Sequence, residues 1–233
     1  MEILGVTETV LDYLRTKIIT GELAPGQKLN EMELSSGLKI SRGPLREALR
    51  ILEQEHLVVS LPRKGCYVAG ISIEDFIELY EAREMLECYA IDLIGLRGKR
   101  ELPEVEAALE VTADLPFPPD SDEQAKLDYL RAFADFHFKL VEAAENKRVT
   151  HFYRTIAFNL ARYQFMYAYI PGLTRNSQKE HQRILDYIKT GKYEKAKRFL
   201  KSHIKAFVKL MESRVHAQNA EDGKISFRPA SEY

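Results

Sequence analysis

Cysteine is scarce in this chain of 233 residues: there are two, Cys66 and Cys88. They fall in segments of different character and form neither a CxxC pair nor a disulfide framework. Net charge is almost absent, with 34 Lys plus Arg against 35 Asp plus Glu, so no overall field draws the molecule to nucleic acid or membrane. Any nucleic-acid surface must be local. No apolar run approaches the roughly 20 residues that span a bilayer. The opening stretch MEILGVTETVLDYLRTK lacks the charged, then apolar, then small-residue order of a secretory signal. Internal repeats and low-complexity blocks are missing as well. These absences point to a reduced, cytoplasmic protein that does not enter a membrane. What is present is an ordinary globular balance, 45% apolar and 30% charged, in a length that suits one large domain or two modest ones.

Composition changes near residue 70. Before it, segments are short and punctuated by turns; after it, helical periodicity runs almost to the end. Residues 7–20 place Val10, Leu11, Leu14 and Ile18 on one helical stripe, which Gly21 stops. A short helix over 31–37 and another over 41–55 follow, then two β-prone runs, 57–61 and 66–69, around a turn at 62–65. From Ser72 the spacing predicts six helices, over 73–97, 101–113, 122–145, 147–169, 174–190 and 192–216. Gly98, residues 116–119, Asn146, Pro171-Gly172 and Gly191 mark the breaks. The expected fold is mainly α: a winged helix-turn-helix over 1–70, an all-helical antiparallel bundle over 71–216, and a flexible tail over 217–233.

The helix that starts at Ser41 carries the most chemistry. Ser41 is placed to cap it, and Pro44 sits in the first turn, where a missing N–H breaks no intrahelical bond. Leu45, Ala48, Leu49 and Leu52 form its packing stripe. Arg42, Arg46 and Arg50 recur every fourth residue on a neighbouring strip, which suits a phosphate-lined major groove. Arg63 and Lys64 at the hairpin tip add a second basic point within reach of a minor groove. The plainer reading is a solvated helix surface.

Residues 19–29 (ITGELAPGQKL), 41–49 (SRGPLREAL) and 62–65 (PRKG) resemble the winged helix-turn-helix of GntR-type regulators over about residues 7–70. The resemblance implies that Arg42, Gly43 and Arg46 contact operator DNA, with Lys64 and Gly65 in the wing. Some members carry an arginine where this sequence has Met32, so one family phosphate contact is missing here.

In the bundle, three histidines fall on inward stripes: His137 with Phe133, Leu140, Val141 and Ala144; His181 with Ile184, Leu185 and Ile188; His203 with Leu200, Phe207 and Leu210. In a helical hairpin turning at Gly191, His181 and His203 stand nearly level, each about 15–18 Å from the turn. With His137 they make a facial set for Zn²⁺ or a Ni-like divalent ion. The other reading is that the imidazoles bind an effector anion directly.

Residues 79–87, Phe136-His137, Ala144, Asn146, Glu180-His181 and 191–203 resemble the FCD effector domain of one GntR branch, over about residues 72–215. Six helices are more similar to the shorter VanR-like form than to the seven-helix FadR-like one. In metal-binding members the first histidine's helix also supplies an aspartate one turn earlier; here that position is Phe133. Asp135, about 200° around the helix from it, points away. By its match to the family's first-helix arginine, Arg83 is the candidate partner of an effector carboxylate. An ion pair with Glu87 competes for that role. Arg162 and Tyr163 are further candidates for the cavity lining.

The function implied is a ligand-responsive DNA-binding regulator, in the usual case a repressor. It would act as a homodimer on a pseudo-palindromic operator and respond to a small carboxylate. A metal-responsive regulator, with the ion as signal, is the alternative. A helical-bundle metalloenzyme would need an inward general base beside the metal, and the sequence has no HExxH, no GxSxG and no inward carboxylate next to the histidines.

Overall fold

A computed structural model describes residues 5–119, 121–167 and 173–222. The N-terminal part runs α1 (Val6–Ile19), β1 (Lys28–Leu29), α2 (Glu31–Gly37), α3 (Arg42–Gln54), β2 (Val58–Leu61) and β3 (Gly65–Val68). The sheet has three strands in the order β1-β3-β2, all antiparallel, with Lys28 opposite Tyr67 and Val58 opposite Val68. The sequence pattern predicts only the β2–β3 ribbon. Strand β1 escapes it because two residues carry no alternation to detect; the edge of β3 supplies its order.

Leu14, Ile18, Leu45, Ala48 and Leu52 are buried together with Leu29, Leu57 and Val68, so α1 and α3 close over the sheet as one small core. Such burial is worth about 1.5–3 kcal/mol for each large aliphatic side chain. Ser41 has extended N-cap geometry, but its hydroxyl makes no capping bond, contrary to the expectation above. The cap that forms nearby is Asn30, whose side chain accepts from the backbone N–H groups of Met32 and Glu33 at the start of α2.

The C-terminal part has six helices among the described residues: α4 (Ile73–Leu96), α5 (Pro103–Ala113), α6 (Glu123–Glu142), α7 (Lys147–Tyr167), α8 (Leu173–Lys189) and α9 (Tyr193–Asp222). Their shared core includes Phe76, Tyr80, Ile91, Phe136, Leu140, Ile184 and Leu200. Helix α9 runs to Asp222, past the boundary expected at 216, because HAQNAED holds no breaker before Gly223. The rest of the proposed tail, 223–233, and the Pro171-Gly172 break lie outside the described residues. No helix is long and apolar enough to cross a membrane, among the described residues.

Helix α7 ties the two parts together. Asn159 Nδ2 donates to the Glu55 carbonyl at the end of α3 (2.6 Å), and Arg162 Nη2 donates to the Ala69 carbonyl (2.8 Å). The Tyr163 hydroxyl meets Asp75 Oδ2 at 2.6 Å and accepts from the Ser72 N–H at 3.3 Å. Phe158 packs against the N-terminal core, with the Arg15 guanidinium 4.1 Å from its ring.

Candidate functional site

On α3, Leu45, Ala48, Leu49 and Leu52 face the core, which leaves Arg42, Arg46 and Arg50 exposed on the outer strip. Arg46 Nε donates to Glu31 Oε2 at 2.7 Å, and Arg50 pairs with Glu47 on its own helix. Both are surface pairs, worth little in water and open to exchange for phosphate. Gly43 has nothing within 4 Å of where a Cβ would stand and no left-handed backbone, so neither packing nor geometry within the chain requires glycine there. What it leaves is bare backbone in the first turn of α3, where helix geometry gives the N–H groups no intrahelical partner and another molecule can approach closely. At the hairpin tip Arg63 adopts φ 66° and Gly65 φ 107°, which projects Arg63 and Lys64 beyond the sheet. The chemistry of this face is that of a phosphate-tracking, groove-entering helix with a basic wing.

Inside the bundle, α6, α8 and α9 bring His137, His181 and His203 together, with one ring nitrogen of each within 4.8 Å of the others. The level hairpin expected around Gly191 places His181 Nε2 3.3 Å from His203 Nε2. That separation also matches the edge of a tetrahedral zinc site, about 3.3–3.4 Å for Zn–N bonds of about 2.0–2.1 Å.

Two carboxylates set the imidazoles. Glu87 Oε2 lies 2.8 Å from His137 Nδ1, and Glu180 Oε2 lies 2.6 Å from His203 Nδ1. Burial works against an ionised Glu87, but the Arg83 and His137 partners outweigh it and hold its carboxyl well below the usual range. The hydrogen bond from His203 likewise lowers Glu180. Ionised carboxylates only accept, so each Nδ1 carries the proton. Burial, with Arg83 nearby, pulls His137 down to about 4 and keeps it neutral near pH 7. Its Nε2 is then a lone pair available to a cation. His181 is also pushed well below its ordinary value, by burial first, and its buried Nδ1 has no hydrogen-bond partner.

The donor set therefore fits a divalent cation, with one asymmetry. Two histidines have the carboxylate support usual for metal ligands, and His181 does not. Phe133 lines this cavity where the resemblance places an aspartate, its ring centroid 6.2 Å from that of His181. Asp135 faces a different cavity, between α6 and the N-terminal domain.

Arg83 lines the histidine cavity but is committed to Glu87, its Nε donating to Oε1 at 2.7 Å; the ion pair weighed against effector binding does form. Tyr153 donates to the same Oε1 at 2.9 Å, so one fully buried carboxylate holds Arg83, Tyr153 and His137. The sequence pairs Glu87 with Arg83 by spacing. It gives no sign of the bonds to His137 and Tyr153, which lie 50 and 66 residues away, so the expectation that no inward carboxylate stands next to the histidines is overturned by Glu87. Glu180 is also missed as an orienting group, although its place beside His181 puts it level with His203. Arg162 and Tyr163 do not line the histidine cavity. They point from α7 to the interdomain link, a register that apolar periodicity does not reveal because that face packs on the other domain. Gln164, one residue on, lines the cavity instead.

Residues 6–68 match the family described as bacterial regulatory proteins, gntR family, and residues 78–206 match the FCD domain. The chain belongs to the GntR family and carries an FCD domain. An HTH-type transcriptional regulator of Bacillus subtilis (strain 168), YdhC, is 27% identical over 82% of this chain and 84% of its own length. The gluconate operon transcriptional repressor of Bacillus licheniformis is 28% identical over 81% of this chain and 76% of its own. A GntR regulator from Rhodococcus sp. RHA1 superposes with a TM-score of 0.69 over 89% of this chain and 97% of its own, at 23% identity. This GntR-family protein is accordingly a DNA-binding transcriptional regulator, and its relatives are regulators rather than enzymes.

Proposed function

We propose that this GntR-family regulator is a cytoplasmic, homodimeric repressor that leaves its operator when a small carboxylate enters the histidine cavity, where His137, His181 and His203 hold a divalent cation. The observation that carries the reading is the convergence of the three imidazoles, two of them fixed by Glu87 and Glu180, in a cavity of about 200 Å³. A bound cation would supply Lewis-acid attraction for an effector oxygen. Within the chain, Glu87 and Glu180 keep lone pairs turned inward, Phe133 and Leu130 keep the wall apolar, and Arg83 adds a buried positive charge partly balanced by Glu87. Arg42, Gly43, Arg46 and Arg50 face the operator, and Arg63, Lys64 and Gly65 form the wing.

The homodimer has support on α4. Met85, Tyr89 and Leu96 are exposed there, and their spacing of four and seven residues keeps them within about 40° of one another around the helix. A second copy seated on this stripe would bury them and set two recognition helices on inverted half-sites.

A second reading, with the ion as the signal, is favoured by the modest size of the cavity, which falls below the range of drug-sized ligand pockets. One experiment addresses both. Protein purified without a histidine tag is assayed for metal beside His203→Ala, and binding to DNA it selects from a random pool is followed with zinc alone and with zinc plus small carboxylates, gluconate included. About one equivalent of metal per chain, lost in His203→Ala, with release only when acid is added, supports the effector reading. Release by zinc alone supports the second. Absence of metal after incubation with zinc or nickel overturns both, and leaves the imidazoles to an anion.

A further inference from the structure

A larger cavity, about 660 Å³, lies outside the histidine site, between the N-terminal domain and the bundle. We propose that it is a second small-molecule site, for an organic acid with an aromatic or branched apolar body. It has the volume of a drug-sized ligand pocket, about 300–1,000 Å³, at a domain interface, where such pockets concentrate; the histidine cavity falls below that range.

Its lining combines an apolar interior with a basic edge. Ile19 and Ile51 come from the N-terminal domain, and Phe138 and Phe158 come from the bundle. Arg131 and Arg154 contribute guanidinium groups whose side chains are half or more exposed. Their partners, Asp128 at 3.7 Å and Glu142 at 2.9 Å, make surface ion pairs that a ligand carboxylate can replace at small cost. Asp135 is an opposing charge in the same lining, and Arg15 is already taken by Glu55. Arg83 is likewise taken by Glu87, so once the Arg131 and Arg154 surface pairs exchange, two lining cations stand against one lining anion, which favours an anion over a cationic compound.

The position gives such a ligand leverage. Ile51 and Gln54 lie in the last turns of α3, the helix that presents Arg42, Arg46 and Arg50, so an occupant touches both domains at once. Arg83, Ala134 and Gln164 line this cavity and the histidine cavity alike, so a single layer of side chains separates the two. The proposal does not rest on metal at the histidines.

The test is calorimetric titration of the full-length chain with 1-naphthoate, before and after EDTA treatment. Saturable binding at about one per chain is expected, unchanged by EDTA. It should weaken about tenfold in Arg154→Glu and again in R131E/R154E, as loss of a charge-assisted contact implies. Both side chains are exposed, so these variants should stay folded; Ala157→Trp, which fills the cavity, should abolish binding if its melting curve matches the parent. No saturable binding overturns the proposal. So does binding that R131E/R154E leaves unchanged, or binding that EDTA removes, which would assign the acid to the histidine cavity.

Discussion

Glu87 on α4 and His137 on α6 share a hydrogen bond of 2.8 Å between Oε2 and Nδ1, and neither side chain reaches solvent to any useful extent. The bond fixes which imidazole nitrogen is protonated and therefore which one faces the cavity. Because Oε1 of the same carboxylate accepts from Arg83 and Tyr153, the orientation of His137 is joined to the ion pair that divides the two cavities.

Replacing Glu87 separates the two roles of this carboxylate. Glu87→Gln removes the charge that balances buried Arg83, a loss of about 3–5 kcal/mol for a broken buried pair. It also leaves one carbonyl oxygen for three donors; with that oxygen kept by Arg83 and Tyr153, the amide NH2 faces His137 Nδ1 and no longer orients it, with an expected loss of about 10- to 100-fold in zinc affinity. Tyr153→Phe deletes one hydrogen bond to the same oxygen and should cost about 0.5–1.5 kcal/mol with little effect on zinc. Urea unfolding and zinc competition against a chromophoric chelator read the two quantities separately. Equal zinc affinity in Glu87→Gln and the parent would show that the bond does not position His137.

Acid should weaken the metal-free bundle in a defined window. The folded chain holds His137 neutral down to about pH 4, and His181 is likewise pushed well below its ordinary value, both because burial disfavours the imidazolium, with Arg83 adding to it. In the unfolded chain both titrate near 6.5. Between those values the unfolded state binds more protons, so stability rises with pH and is lost as pH falls from about 6.5 toward 4, by about 1.4 kcal/mol per unit per proton. Ionised Glu87 does not oppose this: Arg83 and His137 hold its folded carboxyl well below the usual range, so uptake of a proton by the unfolded carboxyl near 4.3 adds to the loss at the acid end. Melting temperatures of EDTA-treated protein at pH 7.5, 6 and 5 check the slope, which should be shallower in His181→Gln. A flat profile would mean that the two histidines protonate without unfolding the core.

The two domains were legible in the sequence for different reasons. In α3 the packing stripe and the arginine strip are both local periodicities, so the structure reproduces them residue by residue. The three histidines could be placed by periodicity and by counting from Gly191, because a helical hairpin converts sequence distance into height. What stayed hidden depends on contacts between elements far apart in the chain. Strand β1 exists only because β3 offers an edge. Tyr163 reads as a cavity residue until Ser72 and Asp75 are seen beside it, and Glu87 reads as an Arg83 partner until α6 and α7 close over it. The Ser41 cap failed on a finer scale: the residue type and the backbone geometry are right, and the hydroxyl makes no capping bond.

Arg46 carries a restraint that operator binding must overcome. Its Nε bond to Glu31 joins the start of α2 to α3 and lowers the positive charge offered to DNA. Arg46→Ala should cost about 1–3 kcal/mol at one base position if the side chain reads a base, or weaken all sequences alike if it meets phosphate. Glu31→Gln should act in the opposite direction, tightening non-specific binding and steepening its salt dependence. Fluorescence anisotropy at two salt concentrations distinguishes these cases. Unchanged binding in both variants would remove the pair from the interface.

Coupling between the domains should pass through Asn159. Its bond to the Glu55 carbonyl holds α7 against the end of α3 in a buried setting. Asn159→Ala should cost about 0.5–1.5 kcal/mol or somewhat more, because the carbonyl loses its donor. The more telling readout is functional. Operator affinity of the ligand-free protein should change little, while its response to ligand should shrink, because the domains are less firmly joined. A variant with lower affinity and a full ligand response would place the coupling elsewhere, for example at the Arg162 bond to the Ala69 carbonyl.

Phe133 tests the metal reading from the opposite side. It is 8% exposed, lines the histidine cavity and stands one turn before His137, where an aspartate would add a fourth, anionic ligand. Phe133→Asp should destabilise the metal-free chain by several kcal/mol, since a large apolar side chain is lost and a carboxylate takes its place without a partner. With zinc the order reverses: the carboxylate gains a cation, affinity rises, and the increase in melting temperature on adding zinc should exceed that of the parent. Thermal unfolding with and without zinc measures both effects in the same protein. A variant destabilised equally in the two conditions would show that the three imidazoles do not hold a cation near residue 133.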